Sequence, residues 1–192
     1  SEMCIRDRNT PETDKFYFVV HFLKRADKLG KAAQHAKLRN ELSKRAHALA
    51  DFRAKDPQWA QYIKGIDAAS TEIGCRAEVF AHTFRFLRKD VKHNGDVPLK
   101  NARYNIPQLR ATFHVGEDFL DIIDGLRAID EAIRFLEYRR GDRLGHALAL
   151  GVESEAWYHA KGGAVLLPLQ DLVDNLAWMH AKLTEIGDAR FL

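Results

Sequence analysis

The stretch ATFHVGEDF, residues 111–119, ends an apolar, β-branched run on a histidine, a glycine and a glutamate. A second histidine follows in GDRLGHALAL, residues 141–150. An imidazole can ligate a metal or move a proton near neutrality, a carboxyl group can deliver one, and a glycine lets the backbone turn sharply between them. His114, Gly116, Glu117 and His146 are therefore the first candidates for chemistry. Each also has a plainer reading when taken singly. The histidines can be hydrogen-bonded structural residues, and Glu117 can be a charge favouring the start of the following helix. Asp67 in GIDAASTE, followed by Ser70 and Glu72, reads either as part of the same site or as a loop residue with a surface acid beside it.

These residues need elements that bring them together. KFYFVVHFLK, residues 15–24, is apolar, aromatic and β-branched, as expected of a fully buried strand in a parallel sheet. YIKGIDAAS (62–70), LRATFHVGEDF (109–119) and GDRLGHALAL (141–150) are further strands. Helical spacing links Ala33, Leu38, Leu42, Ala46 and Leu49 in residues 31–55. It also links Val79, Phe80, Phe84 and Leu87 in 77–92, and Ile122, Ile123, Leu126, Ile129, Ile133 and Leu136 in 120–138. HNGDVP (93–98) reads as a loop. Strands alternating with helices imply parallel strands with right-handed crossovers. Chemistry in such folds collects at the C-terminal strand ends, so Asp67, His114 and His146 are expected on one rim. Beyond them, EAWYHAKGG (155–163) is a short helix. Residues 167–187 form a long one with Leu169, Leu172, Val173, Leu176, Met179 and Leu183 as a stripe. That stripe is expected to face core or interface, with Asp174 and Asn175 on the wet side.

Composition sets outer bounds. The chain has 192 residues, 46% hydrophobic and 30% charged, enough for one ordinary globular domain. No apolar run is long enough for a membrane span, and the first ten residues, SEMCIRDRNT, lack the apolar core of a signal peptide. Two cysteines make no disulfide framework, so a cytoplasmic location is expected. Between Lys24 and Lys55 ten Lys/Arg face three Asp/Glu. This block reads either as a solvated helix face or as a phosphate-binding surface.

A strand-end His-x-Gly-Glu, one helical crossover and then a strand-end Gly-His resemble the adenosine deaminase family of metal-dependent hydrolases. HVGE (114–117) is similar to that family's His-Ala-Gly-Glu, RLGHA (143–147) to its Arg-Ile-Gly-His-Gly, and DAASTE (67–72) to its Asp-Leu-Ala-Gly-Asp-Glu. The resemblance covers about Lys15 to Leu150. It implies an α/β fold, a partial (β/α)8 TIM-type barrel of about strands three to six with crossover helices, followed by a C-terminal helical insertion. The organisation it implies is a non-native or disordered leader (1–14), the partial barrel (15–152) and the helical part (153–192). It implies Zn2+ as cofactor, with His114 as a ligand. Glu117 would protonate a purine ring nitrogen and His146 would act on the metal-activated water. Gly116, Ser70 and Asp67 would line the substrate, although Ser70 stands where the family has a glycine. The reaction implied is hydrolytic deamination of adenosine or an adenine nucleotide. Two departures are plain. The sequence has no His-x-His, the family's first-strand ligand pair, and no late Asp-Asp strand end. With a full barrel needing roughly 250 residues, and with SEMCIRDR resembling translated sequencing-adapter sequence, the chain is expected to be a fragment that is inactive alone. The C-terminal helix resembles an insertion in the large bacterial deaminase subunits of the RADAR antiphage system, which implies a homo-oligomer and an ATPase partner. The alternatives are a non-catalytic assembly module and another metal-dependent amidohydrolase.

Overall fold

Aromatic and β-branched runs build a five-stranded sheet. The computed structural model describes residues 3–5, 16–27, 34–96 and 106–187. The strands are β1 (Met3–Ile5), β2 (Phe16–Leu23), β3 (Ile63–Ala69), β4 (Arg110–Val115) and β5 (Arg143–His146), and they lie in the order β1-β2-β3-β4-β5. Strands β2 to β5 are parallel. β1 pairs antiparallel on the outer edge of β2, with Cys4 opposite Tyr17. The expected leader, residues 1–14, thus contributes a strand, and the expected parallel pattern begins at β2.

The helices are α1 (Ala36–Lys55), α2 (Pro57–Ala60), α3 (Glu78–Asp96), α4 (Ile122–Phe135), α5 (Ser154–Ala160) and α6 (Leu169–Ile186), with a 3-10 turn at Leu148–Leu150. α1 packs on α3, and α3 on α4. Their stripes meet the sheet in one core: Leu38, Leu42 and Ala46 from α1, Phe80, Phe84 and Leu87 from α3, Ile129, Ala132 and Leu136 from α4. Phe22, Ile66, Ala68, Phe113 and Val115 supply the sheet side. Since side chains alternate across a strand, His21, Asp67, Thr112 and His114 share the opposite face. α3 runs through residues 93–96, where a loop was expected. The remainder of that expected loop, 97–98, lies outside the described residues. The basic block is largely a solvated face, with Lys44 and Arg45 exposed and Arg25 and Arg39 paired to Glu41 and Glu78.

Buried arginines fix the N-terminal ends of the strands. Arg53 donates to the carbonyl oxygens of Ile63 (2.9 Å) and Pro107 (2.6 Å). Arg88 donates to the carbonyls of Leu136 and Glu137, each at 2.8 Å, and to Asp142 Oδ2 at 2.6 Å. Asp142 in turn accepts from the Ala111 and Arg139 amides. One guanidinium thereby ties α3 to the end of α4 and to the approach to β5. Removing one partner of a buried pair strands the other. Arg88→Met is expected to cost about 3–5 kcal/mol, measured by urea denaturation.

α6 docks through the side expected to be wet. Asn175 is 2% exposed and accepts from Arg127 Nε at 2.6 Å, while Asp174 pairs with Arg76 at 2.5 Å. Trp178 Nε1 and Lys182 Nζ reach Asp130 at 2.9 and 3.1 Å. Leu169, Leu172, Val173 and Leu176 point outward, Leu169 with 76% exposure. The reason lies in Arg127, whose buried guanidinium also meets Asp124 and Glu131. Its need for acceptors outweighs the apolar stripe. Burial pushes the Asp130 carboxyl up, but hydrogen bonds from Trp178, Lys182 and Arg134 outweigh it and hold the group below its usual range. Burial likewise raises Asp174, and the bonds from Arg76 and Gln170 outweigh it. A depressed folded pKa stabilises above the unfolded value and the gain is lost as pH falls through the folded one. α6 should therefore stay docked from about pH 5 to 8 and loosen only below the ordinary aspartate range of about 3.9. Trp178 fluorescence followed through an acid titration reads this directly.

Candidate active site

Asp67 organises the polar face of the sheet. It is 1% exposed at the C-terminal part of β3, where it stands opposite His21 of β2 and Thr112 of β4. Its Oδ2 lies 3.0 Å from His21 Nδ1 and 3.1 Å from His114 Nδ1, and Oδ1 lies 3.2 Å from the latter. A carboxylate offers only lone pairs, so both rings donate their Nδ1 protons to it. In the neutral ring this selects the tautomer whose Nε2 carries a lone pair, the arrangement that metal-ligating histidines adopt.

His146 stands next to this trio. Its ring centroid is 5.2 Å from that of His114, and its Nε2 is 3.1 Å from Glu117 Oε2. The backbone achieves this through left-handed turns. Ser70, Gly116, His146 and Ala147 have φ of 87°, 75°, 59° and 50°, at the ends of β3, β4 and β5. Such conformations are costly for residues with a side chain and cluster at functional sites. Ser70, exposed, holds the backbone shape that glycine adopts freely. Gly116 is required on two counts: its φ is positive, and a Cβ would lie 2.6 Å from Ile129 Cδ1.

All six expected site residues lie at the C-terminal ends of β3, β4 and β5. His114, Glu117 and His146 form one group. Asp67 sits beneath His114 as its hydrogen-bond partner, Gly116 is buried in the turn, and Ser70 is on the loop after β3. His21 and Lys24 were not singled out from sequence, and Glu72, read there as a possible surface acid, is buried. His21 shares Asp67. Lys24, 1% exposed, donates through Nζ to the His114 carbonyl and lies 4.2 Å from the Phe113 ring centroid. Glu72 accepts from the Gly116 amide at 2.8 Å and the Glu117 amide at 3.3 Å. The one hint in the sequence was HFLK itself, a histidine and a lysine on opposite faces at the end of an otherwise apolar strand.

Zinc is the implied cofactor. His114 fits as a ligand, because its Nδ1–H is engaged and its Nε2 is available. Among the described residues no group of three or more His, Cys, Asp and Glu is arranged to hold a metal ion. His114 is the one expected zinc ligand present among these residues. No protein-family model matches the chain, and no curated protein matches it. Among the described residues no helix is long and apolar enough to cross a membrane.

The close approach of β5 to β4 is a test of the arrangement. A Cβ on Gly145 would lie 2.8 Å from His114 Cγ and 2.9 Å from its Cα. Gly145→Ala is expected to push the His114 ring off Asp67 at a cost of about 1–3 kcal/mol. Imidazole 15N shifts would show His114 losing the Nδ1-protonated pattern, and thermal melting would give the cost.

Proposed function

We propose that this chain carries part of the active centre of a hydrolytic purine deaminase, in a segment of a (β/α)8 barrel. The carrying observation is the Glu117–His146 contact of 3.1 Å beside His114, at one rim of parallel strands. Sequential strand order with the core helices in one layer on one face also supports a barrel segment, since doubly wound sheets carry helices on both faces and reverse their strand order. The reading takes the remaining strands and metal ligands from polypeptide outside these 192 residues.

The residues divide the labour as follows. His146 takes a proton from the attacking water as its oxygen bonds to C6 of a 6-aminopurine. Glu117 gives a proton to the adjacent ring nitrogen, so negative charge never accumulates on the ring. His146 then returns its proton to the amino group, the C6–N bond breaks and ammonia leaves, while the hydroxyl proton passes to Glu117 and the 6-oxopurine remains. Asp67 and His21 keep the His114 ring oriented. Zinc, when bound, supplies a Lewis acid that activates water at neutral pH.

An assembly role is favoured by a different observation, the outward Leu169, Leu172, Val173 and Leu176 of α6. It is compatible with catalysis in a homo-oligomer and replaces it only if turnover is absent. In a native polypeptide containing this chain, adenosine is expected to yield inosine and ammonia. Glu117→Gln should lower kcat by about 10²–10⁴. Full activity in that variant would end Glu117's assignment, and no turnover by the native polypeptide would leave assembly as the function.

A further inference from the structure

We infer that Lys24 and Glu72 form a two-armed clamp that positions Glu117 from behind the rim. Three peptide groups of the turn from His114 to Glu117 are each taken by one of these two side chains. Lys24, just past the end of β2, donates to the His114 carbonyl. Glu72, on the loop after β3, accepts from the Gly116 amide through Oε2 and from the Glu117 amide through Oε1. Lys24 itself is held in the ladder, its backbone amide donating to the Ala69 carbonyl at 2.8 Å. Three neighbouring strand ends are thus tied to a single turn.

Stability does not account for the pair. Both groups are buried, Lys24 fully and Glu72 at 9% exposure. Burial lowers Lys24 and raises Glu72, which in each case disfavours the charged form. An apolar pair of similar volume at such a place is often neutral or stabilising. What an apolar pair lacks is direction. A carboxylate accepting two successive amides defines the path of the backbone at Gly116 and Glu117, and an ammonium on the preceding carbonyl defines its tilt. The opposite wall is set separately: the Ala147 amide donates to the Val115 carbonyl at 3.1 Å, which locates His146. The Glu117–His146 spacing is therefore imposed from two sides. Lys24 and Glu72 act through the turn and touch no reacting atom, so they are positioning residues. The inference rests on the deaminase reading only for what the turn is used for.

The test is amide hydrogen exchange on the chain at fixed pH, with no substrate or metal. In Glu72→Gln the Gly116 and Glu117 amides should exchange about tenfold faster, with α1 and β2 unchanged. Lys24→Met, which keeps most of the stem, should accelerate the same two amides. The double variant should be no worse than the worse single one, because both groups serve one turn. If Glu72→Gln does not fold, Glu72→Asp keeps the charge but is one methylene too short to span both amides, and should give the same local effect. Leu42→Ala, in the α1 core, is the control for general loosening. Unchanged exchange at Gly116 and Glu117, or acceleration spread across β3 and β4 as in the control, overturns the clamp. Failure of the deaminase reading is scored separately, by absent inosine formation. Where turnover exists, Glu72→Gln should lower kcat at least about tenfold and leave KM within about twofold.

Discussion

One buried carboxylate decides what the polar face of this sheet can do. Asp67 lies in the middle of three parallel strands and is shared by a histidine on each side. Burying an unpartnered carboxylate costs more than a small domain can spare, so the strand register and the two imidazoles are mutually enforced. A slip of β2 or β4 by one residue turns its histidine to the helical face and leaves Asp67 without that donor. The same contact selects, in each neutral ring, the tautomer with a lone pair on Nε2. Structure and chemical readiness come from one constraint.

A similar logic recurs across the molecule. The apolar core fixes which face of the sheet meets the helices, but the ends of the strands are set by buried charged groups aimed at backbone atoms. Arg53 and Arg88 act at the N-terminal ends, Lys24 and Glu72 at the C-terminal ends. Hydrophobic packing is non-directional and tolerates sliding of an ångström. Hydrogen bonds to carbonyls and amides do not. A hydrolytic site of the kind proposed requires placement at that tolerance.

α1, α3, α4, β3 and β4 were readable from periodicity because each has a buried apolar face. Val79, Phe80, Phe84 and Leu87 repeat at helical spacing and are buried; of the second stripe Ile122, Ile129 and Leu136 are buried, Ile123 and Leu126 half-buried, and Ile133 exposed. HVGE and RLGHA were readable because glycine beside histidine at a strand end is a local pattern. Lys24 and Glu72 were not, since their partners are backbone atoms 90 and 44 residues away. Within the basic block Lys24 differs from its solvated neighbours only in ending the apolar run HFLK. α6 misled for a related reason. Its stripe of Leu and Val is a sound amphipathic signal, but the side that docks is chosen by Arg127, whose position on α4 the helix's own sequence does not encode.

The antiparallel ribbon at Met3–Ile5 bears on how such a sheet can be extended. It occupies the outer hydrogen-bonding edge of β2 from Phe16 to Phe18, the seat that a preceding parallel strand needs in a closed cylinder. In a barrel of the kind proposed, a preceding parallel strand would have to displace it. Occupancy of that seat by the chain's own first residues and circular closure are therefore mutually exclusive states, and the free N–H and C=O groups of β2 can serve one of them at a time.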